Sequence, residues 1–205
     1  YERRNRTRLP HLPHPRRRKD VETHASEHGR EGFFNGLAFR DEKHGILAGD
    51  AVGGRLYLLE TKDGGVSWYR IAKDSAPQMT EGEHAFAASG THLAVNKASH
   101  VWVSSGGKVA RIFHSPDWGE TWHAINTPMI AGESSTGTFS IVFNGANGIA
   151  VGPSGTDISR DGGTWWQPLP GKVCFHTFSV AGSTVWASRP PAIVGEIRPL
   201  RIQSD

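Results

Sequence analysis

A strand–turn–strand pattern that returns along the chain constrains the fold more than any other feature. The stretch from Leu37 to Gly49 superposes without a gap on that from Leu93 to Ser105, an offset of 56 residues. Ile141 to Gly152 fits the first copy with one residue deleted, and Phe178 to Ser188 fits it more loosely. A second hairpin follows each of the first three copies. Its expected strands are Arg55 to Glu60 with Ser67 to Ile71, Ala110 to His114 with Thr121 to Ile125, and Asp157 to Ile158 with Trp165 to Leu169. Four short strands in every period of roughly 40 to 55 residues is the pattern of propeller blades.

Composition agrees with this reading. Among 205 residues there are 25 glycines, 12 prolines and 7 tryptophans but only 2 methionines, which favours short strands and tight turns over long helices. Charge is divided unevenly: residues 1–30 hold nine Lys/Arg against four Asp/Glu, so the remainder carries a small net negative charge. Residues 1–31 have few aliphatic side chains and no periodicity, and cannot offset the entropic cost of ordering. They are read as a disordered basic tail, or as a stretch foreign to the fold. A basic tail on a nearly neutral body does not make a specific nucleic-acid-binding domain, which needs its positive charge on a folded face. Cys174 is the one cysteine, so neither an intrachain disulfide nor a thiolate metal cluster is expected. No apolar run approaches the roughly 20 residues that a membrane-spanning helix needs.

The turn between the third and fourth strands repeats its own chemistry. It reads Thr61-Lys62-Asp63-Gly64-Gly65-Val66-Ser67-Trp68, then Ser115-Pro116-Asp117-Trp118-Gly119-Glu120-Thr121-Trp122, then Ser159-Arg160-Asp161-Gly162-Gly163-Thr164-Trp165-Trp166. A carboxylate at Asp63, Asp117 or Asp161 can accept N–H bonds within the turn. Gly65, Gly119 and Gly163 can take positive φ, and Trp68, Trp122 and Trp166 can pack between blades. The third copy departs from the pattern by placing Trp165 where a hydroxyl residue is expected. These carboxylates are read as structural, because each is satisfied locally and successive turns lie apart on the rim.

The three turns match the Asp-box, or BNR, pattern Ser/Thr-x-Asp-x-Gly-x-Thr/Ser-Trp, which several families share, among them sialidases and xyloglucanases. Longer strings resemble bacterial relatives of the photosystem II stability/assembly factor. They include Gly32-Phe33-Phe34 with Phe39 to Gly45, then Gly82 to Thr91, then Ala131 to Ile141 with Val151 to Gly155. The resemblance covers about residues 32–197 and looks like the C-terminal half of such a propeller. It implies a seven-bladed scaffold, usually exported, whose relatives carry oxidoreductase or glycosyl-hydrolase labels. The mismatch of the tail with that family points to truncation or a shifted reading frame.

The expected architecture is therefore all-β, a partial β-propeller of about three and a half four-stranded blades over residues 32–199, with tails at 1–31 and 200–205. Loops joining the second strand to the third, and one blade to the next, share the face opposite the Asp-boxes, and long loops on a rigid scaffold commonly carry binding. The candidates there are Asp50, Glu81, Glu83, His84, Glu133 and Ser135. Hydrolysis of a glycoside needs two carboxyl groups about 5 to 9.5 Å apart, for which Asp50, Glu83 and Glu133 are the available residues. A sialidase-type site is disfavoured because Tyr57 and Tyr69, the tyrosines of the body, fall on outer strands. With no glycine-rich dinucleotide fingerprint and no metal-ligand spacing among His84, His100, His114 and His123, no cofactor or metal is expected. The reading is a non-enzymatic scaffold that binds a protein partner or a small carbohydrate-like ligand, with glycoside hydrolysis as the alternative.

Overall fold

The computed structural model describes residues 33–87 and 90–169 in full, together with the backbone of 177–181, 184–188 and 198–200. The tail at 1–31 and Cys174 lie outside the described residues. The first sheet is a meander of β1 (Phe34–Phe39), β2 (Gly45–Val52), β3 (Arg55–Thr61) and β4 (Tyr69–Arg70). A short strand, β5 (Glu83–His84), precedes β6 (Leu93–Val95) and β7 (Val101–Ser104); β8 (Gly106–Gly107) pairs with β5, and β9 (Arg111–Ser115) and β10 (His123–Asn126) complete the second sheet. The third sheet is β11 (Ser140–Asn144), β12 (Asn147–Gly152), β13 (Gly155–Ser159) and β14 (Gln167–Pro168). A trailing sheet follows, of β15 (Thr177–Ala181), β16 (Thr184–Ser188) and β17 (Arg198–Leu200). Every pairing is antiparallel, and there is no α-helix among the described residues.

The strand registers make the repeat literal. Leu37 faces Leu47 across the first hairpin, Leu93 faces Val103, and Ile141 faces Ala150. Alternation along each strand sends one set of side chains to the preceding sheet and the other to the following one. Between the first two sheets Ile46, Ala48, Leu56 and Leu58 meet Leu93, Val101, Val103 and Phe113. Between the second and third, Trp102 and Ile112 meet Ile141, Ala150 and Trp166. Burying each of these large side chains contributes about 1.5–3 kcal/mol, so the core lies between sheets. The first strands of successive sheets are neighbours, β1 beside β6, β6 beside β11 and β11 beside β15. Pro168 is tolerated in β14 because an outermost strand has no further ladder partner to serve.

The fourth strands are shorter than expected. In the first sheet β4 holds only Tyr69 and Arg70, where Ser67 to Ile71 was anticipated, because Ser67 gives its N–H to the Asp63 carboxylate at 2.9 Å. Asp50 was expected in a loop and stands in β2, which runs on to Val52 through a register shift after Gly49.

Candidate functional site

The three aspartate turns are closed on themselves. The hydroxyls of Thr61, Ser115 and Ser159 each donate to the following aspartate at 2.8 Å, and accept the N–H of Gly65, Gly119 and Gly163 at 2.9, 2.7 and 2.9 Å. Asp63 also takes the Ser67 hydroxyl, and Asp117 that of Thr121 at 2.5 Å. In the third turn Trp165 cannot donate this bond; its N–H reaches Asp161 at 3.1 Å while its ring stays exposed. Hydrogen bonds, first those from Ser67, hold Asp63 down at about 2. Burial pushes Asp161 up, but bonds from Thr164 and Ser159 prevail and leave it at about 2. Such carboxylates are ionised near neutral pH and engaged within their own turns. Each turn is also clipped to the hairpin turn of its own sheet, through Gly64 N–H to Lys43 O, Trp118 N–H to Ser99 O, and Gly162 N–H to Ala146 O.

Trp118 departs from this pattern. Its φ of 62° is the left-handed value that Gly64 and Gly162 adopt at the same place. The Arg40 guanidinium lies 4.3 Å above its ring, and the ring packs on the core between the first two sheets. The chain thus accepts backbone strain to seal that junction.

On the opposite face three loops are knitted into one platform above the second sheet. Arg55 Nη1 donates to Ala76 O at 2.6 Å and draws down the 72–90 loop. Glu83 lies buried beneath that loop. Its carboxylate accepts Ser105 Oγ at 2.5 Å, Arg111 Nε at 3.0 Å and Thr80 N at 2.8 Å, and pairs again with Arg111 Nη2. Burial pushes Glu83 up, yet the bonds from Arg111 and Ser105 carry it below its ordinary value. Glu83 is therefore an ionised internal strut. Backbone bonds from Gly107 N–H to Thr136 O at 2.8 Å and from Gly132 N–H to Gly107 O at 2.8 Å join the 127–137 loop to the turn at Gly106. That join needs glycine at Gly152, where a Cβ would fall 1.9 Å from Gly137 O.

His84 Nε2 donates to Ser134 O at 3.0 Å, so it ties the 72–90 loop to the 127–137 loop. Glu81, Glu133 and Ser135 are exposed on the platform. Asp50 stands apart on the first sheet, where its Oδ1 accepts Asn35 Nδ2 at 2.9 Å. No hydrogen bond or ion pair among the described residues joins Asp50, Glu83 and Glu133 to one another. Nor does any group of three or more His, Cys, Asp or Glu among the described residues have the arrangement of a metal site. No helix among them is long and apolar enough to cross a membrane. The Glu83–Arg111 pair, 28 residues apart, left no local signal in the sequence.

No protein-family description matches the sequence, and no curated protein matches it. Solved structures do. A glycoside hydrolase family 74 enzyme of Niastella koreensis superposes with a TM-score of 0.57 at 19% identity, over 76% of this chain and 26% of that one. YCF48 bound to a D1 peptide gives a TM-score of 0.50 at 18% identity, over 82% of this chain and 55% of that one. The fold is a β-propeller. The computationally designed Ika4 protein also matches, with a TM-score of 0.52 at 12% identity, over 84% of this chain and 93% of that one. The three four-stranded sheets are thus blades, followed by the three-stranded sheet, and the chain spans about a quarter of the Niastella enzyme and about half of YCF48.

Proposed function

We propose that the chain is a binding scaffold of the Asp-box propeller type, and that it takes a protein segment on the loop face opposite the Asp-boxes. One observation carries the reading: the buried Glu83–Arg111 pair braces the 72–87 and 104–108 segments, and bonds from His84 and at Gly107 tie the 127–137 loop to them, which leaves Glu81, Glu133 and Ser135 outward on one braced surface. Rigid loops lose little entropy on binding. Hydrolysis is less well served. Glu83, ionised and paired, has no proton to give a leaving group, and Asp50 is engaged by Asn35. The solved YCF48 complex contains a D1 peptide, and a peptide is the partner class put forward here.

The test is fluorescence anisotropy with a labelled D1 peptide. Glu133→Lys and His84→Ala should each weaken binding at least several-fold, while Lys62→Ala on the turn face should leave it unchanged. Equal effects from both faces would contradict the assignment. The likeness to the Niastella enzyme supports glycoside hydrolysis as a second reading. Turnover of a xyloglucan or other glycoside that disappears in Asp50→Asn or Glu133→Gln would establish that reading instead.

A further inference from the structure

We propose that a small pocket on the loop face, lined by Asp157, is a binding site for an alkylammonium group, the end of a lysine side chain carried by the peptide that this face holds. The inference rests on the scaffold reading above and adds to it what the bound segment must present. The pocket has a volume of about 120 Å³, on the order of four water molecules in the liquid, which suits one unbranched side chain. Met129 and Ile130 reach it from the 127–137 loop, Pro168 and Leu169 from the end of the third blade's outermost strand, and Asp157 from β13.

The first two blades carry Leu59 and Phe113 where the third carries Asp157, so the packing of a blade does not call for a carboxyl at this place. Asp157 is 3% exposed; the Met129 N–H reaches its carboxyl group, and Oδ2 has no hydrogen-bond partner. A buried carboxylate with an open acceptor is best served by a cation. None of the described residues that line the pocket is a Lys, Arg or His, and none besides Asp157 titrates, so the chain supplies no counter-charge there itself. Apolar walls suit the four-carbon stem of a lysine. A guanidinium fork would need both carboxyl oxygens, one of which Met129 already engages, whereas an ammonium needs one. Burial pushes Asp157 up to about 6, so near neutral pH the carboxylate that a cation requires is the main form.

The probe is n-butylammonium, a lysine side chain without its backbone, titrated into the full chain and followed through the amide resonances of Met129, Ile130 and Asp157. These should shift saturably, and 1-butanol should bind at least several-fold more weakly. Asp157→Asn should weaken the amine at least tenfold, as should Asp157→Leu, which restores the residue type of the first two blades. The amine stays charged across the range while Asp157 takes up a proton, so affinity should be roughly tenfold lower at about pH 5 than at about pH 7.5. Equal binding of butanol, an amine affinity indifferent to pH, or unchanged binding by Asp157→Asn would each overturn the proposal. Should the variants fail to fold, the butanol comparison and the pH profile of the unmodified chain decide. A capped tripeptide with a central lysine should bind several-fold tighter than the amine; binding no tighter would mark a free amine as the ligand and overturn the peptide source. Anisotropy with the D1 peptide separates the two readings: a chain that binds that peptide and not the amine keeps the scaffold and loses this pocket.

Discussion

Asp157 occupies the position in the third blade where Leu59 and Phe113 stand in the first two, two residues before the hydroxyl that opens the turn. It is 3% exposed, and its Oδ2 has no hydrogen-bond partner. Burial pushes it up to about 6, against a pull from the Met129 N–H. The folded chain therefore keeps a proton there that the unfolded chain releases near pH 4, and stability from this group is full below about pH 4 and lost as pH rises through 6. His92 and His114 work in the opposite sense. Burial lowers each to about 4, with His100 and His123 adding to the effect at His114, so stability falls as pH drops from 6.5 towards 4. Asp157→Asn keeps an acceptor for Met129 and removes the titration. Urea unfolding should find it more stable at pH 7 by on the order of 2 kcal/mol, no more stable at pH 4, and steeper than the unmodified chain in its loss on acidification.

At the scale of strands and loops, the junctions between blades carry the stability. Trp102 in β7 stacks on Phe143, lies parallel to His114 at 5.1 Å, and donates Nε1–H to Gly162 O at 2.9 Å. Trp102→Ala should cost about 3–5 kcal/mol in chemical denaturation and loosen the third turn, whose Gly162 carbonyl loses its donor. Glu83→Ala should cost roughly 3–5 kcal/mol because Arg111 is then left in a largely buried place without its counter-charge. Its Tm should fall further than that of the exposed Glu81→Ala. The strand repeat and the turn chemistry were legible in the sequence because both depend on residues within about ten positions of each other. The Glu83 brace, the Arg40–Trp118 stack and the confinement of Asp50 to β2 were not, since each is set by segments the fold brings together. Glu83 is a surface-seeking residue type in a long loop, and such a residue gives no sign of an arginine 28 residues away that buries it.

Over the whole molecule, the main contacts among the described residues run from each blade to the next, so protection should be graded by position rather than uniform. Among the described residues the second blade is covered on both sides, whereas Leu37 and Phe39 of the first are exposed, and amide exchange in β7 and β9 should be slower than in β1; equal rates would mean that the blades open as a single unit. The clip from each aspartate turn to the hairpin of its own sheet has a further consequence. The bonds that the turn's own hydroxyl and carboxylate make are drawn from within one blade, whereas apolar contacts and polar ties such as Trp102 to Gly162, Arg40 to Ser99 and Ile141 N–H to Thr91 O cross to the next. A stretch of gene encoding one blade carries the whole of its rim chemistry with it. Such a stretch still has its seams to match, apolar faces together with ties such as Trp102 to Gly162.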